Sequence, residues 1–221
     1  MKVCELEQPV SEISKISLSK KGFYTAKELD SKWSRIKKTA VVTASKLFPE
    51  YVIATVWGPY IHVFLFSKDN LVNPLAYLEL SEVQGGKLGS KPGLEVNIAS
   101  VRNTSIGGGV GYKMYVILIR ELGVVLVSDK SQSEGGSKVW SKLFKERGIS
   151  VYGWDPKAPT DKQFFQVHDF DGDGFLDGYD RRLYHDEDEP VLYEPKAKTQ
   201  VDRKDVRNAM QTRLVAVKSI R

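Results

Sequence analysis

A run of glycines, Gly107-Gly108-Gly109-Val110-Gly111, separates two segments of different periodicity and constrains this chain more than any other feature. Before it, Leu94 to Val101 alternates Leu94, Val96 and Ile98 against Glu95, Asn97 and Ala99, the period of a half-exposed strand. After it, Tyr112 to Leu122 is apolar nearly all round and of helical length, with Gly123 as its stop. Strand, glycine-rich turn and helix together gather backbone N–H groups and a helix N-terminus around an anion. Gly111 is followed by Tyr112 and Lys113, so the lysine-serine ending of a nucleotide loop is missing, as is the glycine spacing of a dinucleotide fold. The run therefore suits a pyrophosphate held without a chelated metal. The plainer alternative is a flexible loop with no ligand.

The rest of the chain supplies a frame. Thr25 and Glu28 have capping-box spacing, and Leu29, Trp33, Ile36, Ala40, Ala44 and Leu47 recur at helical steps, which predicts an amphipathic helix ending before Pro49. Tyr51 to Trp57, Ile61 to Phe66 and Leu75 to Leu80 read as strands of an antiparallel meander, with a loop over Gly85 to Gly93. Beyond the glycine run, Val124 to Val127 reads as a buried strand, Glu134 to Arg147 as a helix and Ile149 to Tyr152 as another strand. The fold class is α+β, a mostly antiparallel central sheet flanked by helices, followed by an acidic loop and a tail. The expected division is an N-terminal segment over 1–24, a ligand-binding domain over 25–158 and a C-terminal extension over 159–221.

Charge enters because it is uneven. The chain is +5 overall, yet His168 to Glu194 carries ten acids against two bases, leaving 31 bases against 18 acids elsewhere. An acidic segment in a basic body fits intramolecular pairing, a metal site or an anionic ligand. No helix-turn-helix or zinc-finger signature accompanies the basic charge, so nucleic acid is not the expected partner. The single cysteine, Cys4, has no partner for a disulfide or a zinc cluster. No apolar run reaches membrane-spanning length and the N-terminus lacks a signal-peptide pattern, so the expectation is a soluble, cytoplasmic protein without a membrane partner.

The stretch from Val101 through Gly107, Gly109 and Gly111 resembles the core signature of the GNAT family, the Gcn-related N-acetyltransferases: a strand valine, then Arg/Gln-x-x-Gly-x-Gly/Ala opening a helix. The leading basic or amide position is occupied here by Ile106, with Arg102 nearby. The order of elements over residues 25–154 is similar to that family as well. The segments Val124 to Leu143, Val151-Tyr-Gly-Trp-Asp and Thr212-Arg-Leu-Val-Ala resemble a divergent GNAT-like group encoded by tailed bacteriophages. That resemblance implies acetyl-CoA as the cofactor, an amine acceptor or a protein partner the sequence does not identify, and a place in the host cytoplasm or the virion.

The resemblance also implies roles. Direct attack of an amine on a thioester calls for a base, a polarising amide and an acid for the leaving thiolate. Glu95 is the candidate base, with Asn97 expected on the same strand face. A backbone amide near Ser100 and Val101 would meet the thioester oxygen, and the amides of Gly107, Gly108, Gly109, Val110, Gly111 and Tyr112 would hold the pyrophosphate. Ser131 or Ser133 would contact pantetheine. Where the family carries an acid tyrosine, the stretch Lys138 to Leu143 offers Trp140, whose indole donates a hydrogen bond but no proton at neutral pH. Two readings stay open, a working N-acetyltransferase and a non-catalytic phage protein on the same fold.

The acidic segment has its own motif. Asp169, Asp171, Asp173, Asp177 and Asp180 stand at positions one, three, five, nine and twelve of a calcium loop, with Gly174 at six and the Phe175 carbonyl at seven. The alternative is an acidic surface loop without metal. In the basic tail, eight bases against two acids from Pro195 to Arg221, Val206, Met210, Leu214 and Val217 fall on one helical stripe.

Overall fold

The computed structural model describes residues 24–88, 91–102, 109–129, 134–156, 158, 163–167 and 213–219. They form a mixed α and β fold with three α-helices and nine strands among the described residues, divided into two compact units between Val124 and Val125.

The first unit opens with helix α1 (Ala26–Ile36), capped reciprocally: the Glu28 N–H donates to Thr25 Oγ1 at 3.3 Å and the Thr25 N–H to Glu28 Oε2 at 2.7 Å. Its Leu29 and Trp33 pack on Ala54, Phe64, Phe66 and Tyr77. The helix predicted to run to Pro49 ends at Ile36, followed by a 3₁₀ turn (Lys37–Thr39) and strand β1 (Val41–Ala44). Ala40, Ala44 and Leu47 are therefore not on a helix face. Three consecutive β-branched residues, Val41, Val42 and Thr43, are stiff in a helix and find ladder partners opposite Thr55, Ala54 and Ile53.

Strands β2 (Tyr51–Val56), β3 (Ile61–Ser67), β4 (Ala76–Leu88) and β5 (Lys91–Val101) complete an antiparallel meander in the order β1-β2-β3-β4-β5. Most of the loop expected over Gly85 to Gly93 is ladder, with Lys87 opposite Pro92 and Leu88 opposite Lys91.

The alternation read along β5 is broken. Glu79 pairs with Ile98 but its neighbour Leu80 pairs with Val96, so Asn97 is an extra residue, a β-bulge. Ile98 consequently packs in the α1 cluster. Glu95, opposite Ser81, lies on that same face, and the predicted opposition of Ile98 to Glu95 does not hold.

Helix α2 (Val110–Val116) continues into a π-helical turn (Ile117–Glu121) closed by the Leu122 N–H on the Ile117 carbonyl at 3.2 Å. It covers the other face of the meander: Lys113 Nζ sits 4.9 Å from the centre of the Tyr51 ring, and Tyr51 alternates with the Val52 and Ala54 side. Residues Met114 to Ile119 are all buried, as the apolar sequence required.

The second unit contains β6 (Val125–Val127), α3 (Glu134–Lys145), β7 (Ile149–Trp154), β8 (Phe164–Gln166) and β9 (Arg213–Lys218), its strands ordered β6-β9-β7-β8. Since β9 is antiparallel to both β6 and β7, those two run parallel, linked through α3. The helical stripe expected in the tail is corrected here: Leu214 and Val217 belong to a strand, and Val206 and Met210 lie outside the described residues. An apolar stretch, Leu214 to Val217, flanked by strands on both edges, with Arg213 to Ala216 all buried, favours the sheet.

Candidate functional site

Strand β5 and the start of α2 hold the residues on which the sequence argument rested. Gly109 caps α2 with φ 111°, a conformation that L side chains rarely adopt, and among the described residues no atom beyond its chain neighbours lies within 4 Å of where its Cβ would stand. The Lys113 N–H returns to the Gly109 carbonyl at 2.8 Å, closing the first turn. Gly111 meets the strand: a Cβ there would approach Val101 Cγ2 to 3.1 Å, so this glycine serves close strand–helix packing. Val110 is buried and Tyr112 half-buried, while the Val101 side chain is 51% exposed at the end of β5. Arg102 turns away from the glycines, donating to the Pro74 carbonyl at 2.9 Å and pairing with Asp30 of α1.

Ser100 and Asn97 have partners of their own. Ser100 Oγ accepts from the Tyr24 N–H at 2.8 Å and donates to the Tyr24 carbonyl at 3.2 Å, pinning the entry to α1. Asn97 Oδ1 accepts from Ser81 Oγ at 3.2 Å. Glu95 is half-buried beside them. Gly107, Gly108, Ser131 and Ser133, and the loop ligands Asp169, Asp171, Asp173, Phe175, Asp177 and Asp180, lie outside the described residues. Among the described residues there is no cluster of three or more metal-ligating side chains.

The face that carries Glu95 and Asn97 also carries a polar cluster that the sequence reading did not single out. Lys32 of α1 donates to Glu79 Oε2 and to the Tyr24 hydroxyl, each at 3.0 Å, with its ammonium 4.8 Å from the centres of the Tyr24 and Tyr77 rings. The Tyr77 hydroxyl donates to Glu79 Oε2 at 2.8 Å and lies 2.8 Å from His62 Nδ1. Burial pushes the Glu79 carboxyl up, but the bonds from Lys32 and Tyr77 outweigh it and hold the group below its usual range. Burial lowers His62, and the Lys32 charge lowers it further, against the opposing pull of Glu79. Burial and the bond to Glu79 raise the Tyr77 hydroxyl well above the ordinary phenol range, keeping it a donor.

The signal for this cluster was present as single interruptions: His62 in the apolar run Ile61 to Phe66, and Glu79 in Leu75 to Leu80. Only the β3–β4 register, which sets His62 opposite Glu79, turns two interruptions into one site.

No protein-family model matches the chain, and no curated protein matches it in sequence. No described helix is long and apolar enough to cross a membrane.

Proposed function

We propose that this chain is a GNAT-like, acetyl-CoA-dependent N-acetyltransferase acting on an amine, phage-encoded and working in the host cytoplasm or the virion. The observation that carries the reading is the junction from β5 into α2. Gly109 holds a backbone angle open to glycine and caps the helix that follows β5 in the chain. The amides of Gly109, Val110, Gly111 and Tyr112 would hold the pyrophosphate, together with those of Gly107 and Gly108. The bulge at Asn97 adds support, because an extra residue bends a strand and re-aims its neighbours beside a site. Glu95, half-buried on the bulged strand, serves this reading as the base.

Calorimetric titration of the full chain with acetyl-CoA and CoA tests it. Saturable heat is expected, and Gly109→Val should weaken affinity at least tenfold by blocking the approach of the pyrophosphate. Gly123→Ala is the control, since φ at Gly123 is 63° and the substitution strains the far end of the same helical segment. No heat at high micromolar ligand, or unchanged affinity in Gly109→Val, rejects the cradle.

One observation favours the second reading, a non-catalytic phage structural or host-interaction protein on this fold. Trp140, where the resemblance expects an acid tyrosine, is 3% exposed in α3 and so is a packing residue. CoA binding without thiol release from acetyl-CoA would select that reading.

A further inference from the structure

The Tyr77 hydroxyl has one hydrogen, and it is directed at Glu79 Oε2 2.8 Å away. Its oxygen can therefore only accept from His62 Nδ1, also at 2.8 Å. This order of donors fixes the imidazole: Nδ1 carries the hydrogen, and Nε2 carries the lone pair. No described residue bonds Nε2, and the His62 side chain is 21% exposed. A carboxylate, a bridging hydroxyl and an imidazole thus form a chain in which the first orients the last, the logic by which a buried acid sets a histidine tautomer in hydrolytic enzymes.

We propose that His62 Nε2 is a proton-accepting centre, with Tyr77 and Glu79 as its positioning residues. The inference rests on the acetyl-transfer reading for its reaction, though not for its geometry.

Two further features support the assignment. The groups facing the imidazole are Glu79 and Tyr77 from β4 and Lys32 from α1. Burial and then the Lys32 cation lower the imidazole against the opposing pull of Glu79, so His62 stays neutral at pH 7 and able to accept. The chain is also held from behind. Lys32 ties Glu79 to Tyr24, and Tyr24 is fixed through Ser100, so the carboxylate is locked on the side away from Nε2. His62 shares its sheet face with Glu95 and Asn97, which places the acceptor and the proposed base along one polar strip.

In the reaction the proton leaves the amine nitrogen as that nitrogen bonds the acyl carbon and the carbon–sulfur bond breaks. Nε2 takes the proton, and Nδ1–H stays on the Tyr77 oxygen. The resulting imidazolium faces Glu79 through the hydroxyl and returns its proton to water, while the thiolate is protonated separately from solvent. Glu95 and His62 can then divide the work, one drawing the ammonium proton before attack and the other taking the second proton during it.

Nitrogen-15 NMR of the uniformly labelled full chain tests the inference without any turnover. The expected result is a neutral His62 at pH 7 with Nδ1 protonated, a titration midpoint below that of a free histidine, and loss of the tautomer preference in Tyr77→Phe. Glu79→Gln should loosen the same preference. Diethyl pyrocarbonate should modify His62 at Nε2 down to lower pH than it modifies free histidine, with the site read by mass spectrometry.

A populated Nε2–H tautomer in the wild type, or an unmoved one in Tyr77→Phe, overturns the relay whatever the ligand experiments give. Where thiol release from acetyl-CoA with propylamine is measurable, His62→Gln should slow it about 10²-fold and leave CoA affinity unchanged. Equal rates would overturn the proton-accepting role while the acetyl-transfer reading stands. A wild type that binds no CoA would remove that reading and leave the tautomer result to decide the relay.

Discussion

At the scale of single residues, Glu121 shows how one carboxylate can organise a distant turn. Its oxygens accept from Ser45 Oγ at 2.6 Å and from the Lys46 and Leu47 N–H groups, each at 2.9 Å. Burial raises this carboxyl, but the three hydrogen bonds outweigh burial and hold it below the ordinary glutamate value. A depressed folded-state pKa contributes stability above the unfolded value, near 4.3, and that stability is lost as pH falls through the folded value. Part of the acid destabilisation below about pH 4 should therefore disappear in Glu121→Gln, which keeps the shape and loses the charge. Denaturant midpoints measured between pH 7 and pH 3 check this. At pH 7 the variant should be less stable by about 1 kcal/mol, the scale of hydrogen bonds to a charged group that is half open to water.

Elements show a different kind of dependence, because a strand's meaning lies in its register. The bulge at Asn97 decides that Glu95 shares a face with Glu79 and Ser81, and that Leu94 and Val96 point the other way into the core. The bulge accommodates one extra residue, so inserting an alanine between Val96 and Asn97 while the bulge stays moves everything before it to the opposite face. Leu94 and Val96, at 6% and 5% exposure, would then leave the α2 side for the polar strip, and Glu95 would enter the core. Loss of cooperative unfolding, or a fall in stability of several kcal/mol, follows from exposing two large apolar side chains at about 1.5–3 kcal/mol each. Thermal melting followed by circular dichroism reads the outcome. Asn97→Ala, which keeps the residue count and loses only the Ser81 bond, should be tolerated far better.

For the whole molecule, the separate question is whether the acidic segment is a metal loop. The spacing from Asp169 to Asp180 supplies five carboxylates and one carbonyl, the donor set of a large, flexibly coordinated divalent ion. Bringing those carboxylates together without a cation costs repulsion, so binding to the folded form should show as stabilisation. Millimolar calcium is expected to raise the melting temperature of the full chain more than magnesium does. The double substitution Asp169→Ala with Asp173→Ala should remove the rise and leave CoA titration unchanged. An identical melting curve with and without calcium would reduce the motif to an acidic surface loop.

The sequence by itself determined whatever depends on near neighbours. Thr25 and Glu28 announced the start of α1, and apolar stretches at the period of two or of helical length announced β2, β3, α2 and α3. Glycines at 109 and 123, both with positive φ, marked the two ends of the helical segment that begins with α2. These signals are legible because capping, amphipathic period and glycine angles act within one or two turns of chain. The tertiary structure alone decided what depends on partners. Val41 to Ala44 left the helical pattern because β2 offered a ladder, and Arg213 to Lys218 became a strand because β6 and β7 lie on either side of it. Asn97 became a bulge only against β4. The candidate site followed the same rule: the glycines could be named from their run and Glu95 from the family resemblance, but Lys32, His62, Tyr77 and Glu79 come from separate elements. What joins them is strand register and helix packing, interactions between residues distant in sequence that no local pattern encodes.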